Sequence, residues 1–185
     1  MAKRAMTEEA KLAKSEAILD VAQEMFVSTE YEKIKMSDIA KAMGISNGLL
    51  FVYFKTKETL FMCMLWREYE KRLDYLIGVA KKTEIKKYAD VKRLFMDELT
   101  MLVDNNPLYI RLESMRAAIF EKNTDVEVML KMKKRLYGRT QEFVALVSES
   151  GVLTQAQLFN IFFTEAAIIT GSKLEATMPD SIRDI

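Results

Sequence analysis

The 185-residue sequence has no histidine, one cysteine, two prolines, six glycines and one tryptophan. Without histidine there is no imidazole general base, no catalytic triad built on one, and no histidine-liganded zinc. Cys63 alone makes neither an internal disulfide nor a four-cysteine site, and it suits a reducing compartment. A lone cysteine among apolar neighbours is more often a small buried hydrophobe than a nucleophile. Excess charge is missing too: 28 Lys and Arg oppose 27 Asp and Glu, a net +1. Averaged over the chain, that offers little attraction to a polyanion. Met1 to Leu12 is charged and has no apolar signal-peptide core. Ser150 to Ser172 carries only Glu165 as a charge, but its Asn160, three Thr, two Gln and two Gly do not read as a membrane span. A cytoplasmic protein without membrane contact, cofactor or metal is expected.

Half of the residues are apolar, and Ala, Leu, Met, Glu and Lys are abundant. With so little Pro and Gly, this predicts an all-α protein, without internal repeats. A first helix spans about Thr7 to Ser28, with Ile18, Ala22, Met25 and Phe26 on one face. A short helix covers Met36 to Met43, and Gly44 ends it. Thr56 caps a long helix, with Glu58 in its first turn, that reaches about Lys81. Its face is Leu65, Tyr69, Leu73, Leu76 and Ala80. After the charged connection Lys81–Lys87, Asp90 opens a helix to about Asp104, and Asn106–Pro107 starts the next. Thr124-x-x-Glu127 reads as a capping box for a helix to about Ser148, ended by Gly151. Its inward set is Val126, Met129, Leu130, Leu136, Tyr137, Phe143, Val144 and Val147. Thr154-x-x-Gln157 opens a last clear helix, which Gly171 is expected to close. Pro179-Asp180-Ser181 starts one further turn or a short helix.

The informative stretch is Lys33 to Lys57. Two short helices around Gly44-Ile45-Ser46 follow the helix-turn-helix plan, with Ile39, Ile45, Leu50 and Phe54 inward and the small Ala40 at the crossing. Leu49 to Phe54 alone would also pass for a buried strand, and Asn47-Gly48 for a hairpin turn. A hairpin needs an alternating partner strand before Asn47, and Ile39 to Met43 is helical in composition. Five lysines (33, 35, 41, 55 and 57) against Asp38 make the stretch +4, while residues 1–60 balance at nine basic and nine acidic. Flanking lysines can serve solubility alone; confined to one face, they also fit phosphate.

Spacing carries more than charge. Ile18-Leu19-x-x-Ala22-x-x-x-Phe26, Tyr31, Asp38-Ile39-Ala40, Ala42-x-Gly44-Ile45-Ser46, Gly48-x-Leu50, Tyr53-Phe54-Lys55-x-Lys57-Glu58 and Leu60-Phe61 recur in one known pattern. Residues 18–61 closely resemble the N-terminal domain of TetR-family transcriptional regulators. The likeness covers about a quarter of the chain; the rest matches in length, helicity and order. It implies a three-helix DNA-binding domain over 1–56, followed by a helical ligand-binding and dimerisation bundle over 57–185. It further implies DNA contacts from Lys35, Met36 and Ser37 at the second helix, and from Asn47, Gly48, Leu49, Phe51, Val52 and Tyr53 in the major groove. Lys55 and Lys57 become phosphate clamps by the same likeness. The chain departs from the family where Lys35 replaces a hydroxyl residue, Leu49 a threonine, Phe51 a tyrosine and Glu30 a glycine. Asn47 can pair with adenine or reach a phosphate, and Leu49 can meet a thymine methyl. Within the protein alone, Asn47 would cap the turn and Leu49 and Val52 would pack on a neighbouring helix.

For the bundle, the resemblance implies an effector pocket beside the long helix, with Trp66, Tyr69, Phe95, Leu99, Tyr109, Met115, Ile119, Met129 and Phe143 as candidates. At helical spacing the same residues are ordinary core. Thirteen methionines favour an adaptable interior, and with no charged pair standing out the effector is expected to be apolar or aromatic. The low-charge helix from Thr154 carries Phe159, Phe162, Phe163, Ala166, Ala167 and Ile169, apolar around much of its circumference. It resembles the family's dimer-forming helix; in a monomer it would be a central core helix. The expected partners are therefore a double-stranded pseudo-palindromic operator, a small-molecule effector and a second copy in a homodimer, giving a ligand-released repressor. An enzyme is the rival, although no spacing identifies its groups; a helical protein-binding adaptor is another.

Overall fold

The computed structural model describes residues 7–176. Every element among them is helical. Helix α1 (Glu8–Ser28) starts where the Thr7 side chain accepts a hydrogen bond from Ala10 N, with Glu8 and Glu9 at the positive end of its dipole. At its other end no glycine is needed. Arg111 donates to the carbonyls of Phe26 and Thr29 and lies 3.9 Å from the Phe26 ring centre, so a guanidinium from a distant helix closes α1 beside Glu30.

A 3₁₀ turn (Tyr31–Lys33) leads to α2 (Met36–Ala42) and α3 (Asn47–Tyr53). Gly44 adopts φ +63°. Gly44 N bonds to Lys41 O and Ile45 N to Ala40 O, the paired bonds of a Schellman turn. Ser46 then caps α3 by accepting from Leu49 N at 3.2 Å. These two devices settle helix over strand for Leu49–Tyr53, against the β propensity of its side chains. Ile39 and Leu50 are fully buried and Ile45 is half-buried.

Helix α4 (Lys57–Ala80), capped by Thr56, is the axis of the molecule. Phe61 stands edge-on to Phe26 at 5.0 Å and to Tyr31 at 4.9 Å, and Phe120 leans on it at 5.9 Å. One apolar core therefore runs from α1–α3 through the first half of α4 to Phe120, with no break at residue 56. A second core, at the far end of α4, gathers Leu73, Leu76, Val91, Phe95, Phe143 and Phe162.

Helices α5 (Tyr88–Asn105) and α6 (Pro107–Met115) follow. A π-helical turn over Arg116–Phe120, a short α7 (Glu121–Asn123), α8 (Val126–Ser148) and α9 (Gln155–Ala176) complete the described fold. Helix α8 lies along α4, and α9 packs on α6 and α8.

Four expectations change. Asp90 does not open α5 but sits in its first turn, where its carboxylate accepts from Lys86 N and Lys87 N. Asp125, not Thr124, caps α8, because the Thr124 hydroxyl is spent on Phe120 O while Asp125 accepts from Glu127 N and Val128 N. Val126, Leu130 and Tyr137 of α8 are exposed, not inward. Helix α9 runs through Gly171 to Ala176, since glycine permits a turn without imposing one. Pro179-Asp180-Ser181 lies outside the described residues.

Candidate nucleic-acid interface

Helix α3 anchors itself through Leu50 and Phe54 and turns the remainder outward. Leu49, Phe51 and Val52 are 41%, 46% and 77% exposed. Three large apolar side chains stand exposed together on one two-turn helix, a pattern that marks a contact surface. Asn47 and Gly48 are exposed at its N-terminal end, and Tyr53 is half-buried at the other. A Cβ on Gly48 would meet nothing within 4 Å, so nothing inside the protein requires glycine there; its bareness matters only to what approaches from outside. Lys35, at the N-cap of α2, makes no capping bond and is exposed, as are Ser37 and Lys41.

The lysines divide by role. Lys33 pairs with Glu30 at 2.7 Å. Lys57 turns inward: its Nζ donates to Tyr31 O at 2.8 Å and Ile34 O at 3.0 Å and lies 3.8 Å from the Tyr31 ring centre. Desolvation lowers its pKa. The expected phosphate clamp is thus a pin for the turn that leads into α2. Lys55 remains exposed but pairs with Asp125 at 2.6 Å, which raises the lysine's pKa and lowers that of the carboxylate. Beside it, the Thr56 hydroxyl donates to Asn123 O and Asp125 N to the Thr59 hydroxyl. Among the described residues, only Lys35 and Lys41 of the five carry no ion pair or inward hydrogen bond.

Beyond α4 the structure contains a chain of buried charge that the sequence reading missed. Arg72, nearly inaccessible, donates to Glu98 at 2.6 and 3.0 Å, to Glu165, and to the Tyr109 hydroxyl at 3.0 Å. Two carboxylates on one guanidinium leave an excess negative charge, and burial pushes Glu165 up to about 7. Tyr69 donates to Glu113, whose own pKa burial raises. Arg116 bridges Glu113 at 2.8 Å and Glu121 at 2.9 Å. The signal was legible in position: Arg72 lies between Tyr69 and Leu73, and Glu165 between Phe162 and Ile169. Charges embedded in an apolar stripe must find partners when buried.

A cavity of about 260 Å³ opens beside this network, between α4, α8 and α9. Of the nine pocket candidates, Trp66 and Tyr69 line it. The other seven candidates do not. Phe95 and Phe143 meet edge-on in the distal core, and Tyr109 is wholly buried. Leu99, Met115, Ile119 and Met129 pack on the first core, two of them (Met115 and Ile119) also beside a separate cleft near Arg111. The missed lining includes Arg72, Arg116, Glu121, Lys133, Tyr137 and Phe163. Burial pushes the Cys63 thiol up to about 12, away from the thiolate form.

Helix α9 divides its apolar residues between two faces. Phe162, Ala166 and Ile169 are buried in the chain's own core and are not available to a partner. Phe159 and Phe163, stacked with 6° between ring planes, are half-buried, and Ala167 and Ile168 are exposed. Tyr137 of α8 joins them, 5.5 Å from Phe163. No helix among the described residues is long and apolar enough to cross a membrane.

Residues 18–62 match the family model described as bacterial regulatory proteins, tetR family. An uncharacterized HTH-type transcriptional regulator, YuxN of Bacillus subtilis (strain 168), is 28% identical over 92 residues. That match takes in 50% of this chain and 30% of YuxN, so the chain spans about a third of that relative's length. The fatty acid degradation regulator FadR from Bacillus halodurans superposes with a TM-score of 0.59 at 19% identity, covering 90% of this chain and 88% of that one. A candidate TetR-family transcriptional regulator from Mesorhizobium loti MAFF303099 gives 0.54 at 20% identity, covering 78% and 68%. At such identities the two structures share this fold. Over residues 18–62, which hold its helix-turn-helix, the chain carries the N-terminal domain of the tetR family of bacterial regulatory proteins.

Proposed function

We propose that the chain acts as a homodimeric repressor on a pseudo-palindromic operator and is released by a small effector with an apolar or aromatic body. The single observation that carries DNA reading is the outward face of α3: Leu49, Phe51 and Val52, exposed on a helix locked by the Gly44 turn and Ser46. In this reading Asn47, Gly48, Leu49, Phe51, Val52 and Tyr53 enter the major groove, where apolar contacts favour thymine methyls. Lys35 and Ser37 take phosphates. Lys55 joins them after leaving Asp125, and Lys57 acts indirectly by fixing the turn before α2. Residues 1–56 read DNA; residues 57–185 sense and dimerise. Phe159, Phe163 and Ala167, with Ile168 and Tyr137, face the second copy. The dimer sets two α3 helices about 34–36 Å apart, one turn of DNA. The effector occupies the cavity at Trp66 and Tyr69, and it releases DNA only if it binds the non-DNA state more tightly.

A gel-shift titration against the protein's own promoter tests the reading. Binding should weaken steeply with salt, log K falling with log salt at a slope near −0.9 per phosphate neutralised. Val52→Asp should lower affinity about a hundredfold while leaving the melting temperature unchanged, because that side chain contacts no core. Binding that ignores salt, or a Val52→Asp protein that binds as the parent does, overturns the reading. A salt-insensitive complex with another protein would favour the adaptor instead.

A further inference from the structure

The cavity beside Trp66 has an apolar body and one charged end, and at that end the donors and acceptors are unequally engaged. Three cations line it, Arg72, Arg116 and Lys133, against the single carboxylate of Glu121. Arg72 is committed to Glu98, Glu165 and Tyr109. Arg116 gives Nε to Glu113 and Nη1 to Glu121, but its Nη2 has no hydrogen bond among the described residues. Lys133 Nζ stands 3.5 Å from Glu121, a loose ion pair without a hydrogen bond. Glu121 Oε1 already faces both of these cations. The other network carboxylates, Glu98, Glu113 and Glu165, sit behind the wall and do not line the cavity. A cationic ligand would meet ammonium and guanidinium groups first; an anion would find two donor groups waiting.

We infer that the cavity takes an organic carboxylate, its acid group held by Arg116 Nη2 and Lys133 Nζ and its apolar body lying along Trp66, Tyr69, Met132 and Phe163; the inference rests on the effector reading above. The volume of about 260 Å³ lies just under the roughly 300–1,000 Å³ usual for drug-sized pockets and so favours a small acid. Charge-assisted bonds from a partly desolvated guanidinium and an ammonium fix the acid's orientation. Their position also matters. Arg116 begins the π-helical turn that ends at Phe120, and the chain then reaches Asp125, which holds Lys55. A carboxylate that draws Arg116 from Glu121 acts on the segment joining the cavity to the DNA-facing end of α4.

Trp66 is the sole tryptophan and lies in the cavity wall, so its fluorescence reports occupancy directly. The probes are phenylbutyrate, its amide and the corresponding amine, titrated into the full chain. Phenylbutyrate should bind at least tenfold more tightly than the amide, and the amine more weakly than either. Arg116→Gln should erase the preference for the acid. Lys133→Met, at an exposed side chain, should reduce it about tenfold with the circular dichroism spectrum unchanged. Equal binding of the three probes, preference for the amine, or no phenylbutyrate binding at millimolar concentration overturns the inference. Operator release by ligands indifferent to both substitutions sinks the carboxylate anchor but not the effector reading. Acid-selective binding that leaves the operator complex intact sinks the effector reading and keeps the anchor.

Discussion

Glu165 holds a carboxylate against Arg72 that Glu98 already neutralises, and all three side chains are buried. Its pKa of about 7 stands above the ordinary 4.5, so the folded state favours the protonated form. Stability from this source is complete below about 4.5 and is lost as pH rises through about 7; Glu113, also raised by burial, adds in the same direction. The melting temperature should therefore fall between pH 5 and pH 8, and Glu165→Gln should flatten that slope. A Glu165→Gln protein with the parent's pH profile would refute the assignment. Residues of this kind show in the sequence only as charges within an apolar stripe, and their partners do not show at all. Phe26, Leu50 and Leu73 follow a period that any helical stripe shows, whereas Arg72 and Glu98 interrupt theirs and gain meaning only when α4 and α5 meet.

Asp125 does two jobs at the start of α8. It caps the helix through Glu127 N and Val128 N, and it holds Lys55, which follows α3. The jobs separate chemically, because an asparagine caps nearly as well as an aspartate but carries no charge. Asp125→Asn should leave the melting temperature within about 1 °C of the parent, since exposed ion pairs contribute little. The same change should tighten operator binding several-fold and steepen its salt dependence by about one phosphate, as Lys55 is freed. Weaker operator binding would show that the pair positions Lys55 for DNA instead of withholding it. At this scale the sequence was readable wherever structure is local. Thr56, Asn106–Pro107 and the Thr154–Gln157 box all cap as their spacing predicts. Thr124 and Asp125 are adjacent and both able to cap; contacts from Thr59 and Lys55, more than sixty residues away, accompany the choice of Asp125.

For the molecule as a whole, the net +1 is an average over surfaces of different purpose. The exposed side of α9 has almost no charge, and Ile168 is 52% exposed on it, away from the cavity. Ile168→Glu should shift sedimentation from dimer to monomer and cost operator affinity, with helicity unchanged. A dimer that survives the substitution places the interface elsewhere. The sequence of α9, apolar around much of its circumference, does not say which residues stay exposed, because the division between Phe162 and Phe163 depends on how α9 rolls against α6 and α8.

The core that runs from Phe26 through Phe61 to Phe120 has a practical corollary for protein engineering. The helix-turn-helix segment is not a detachable cassette, wherever its family match ends. A chimera that splices residues 7–56 onto a foreign sensor would deprive Phe26 and Tyr31 of the aromatic rings they pack on. A transplant that keeps them must carry the first half of α4 and supply a counterpart for Phe120, and with it an arginine to close α1 as Arg111 does here.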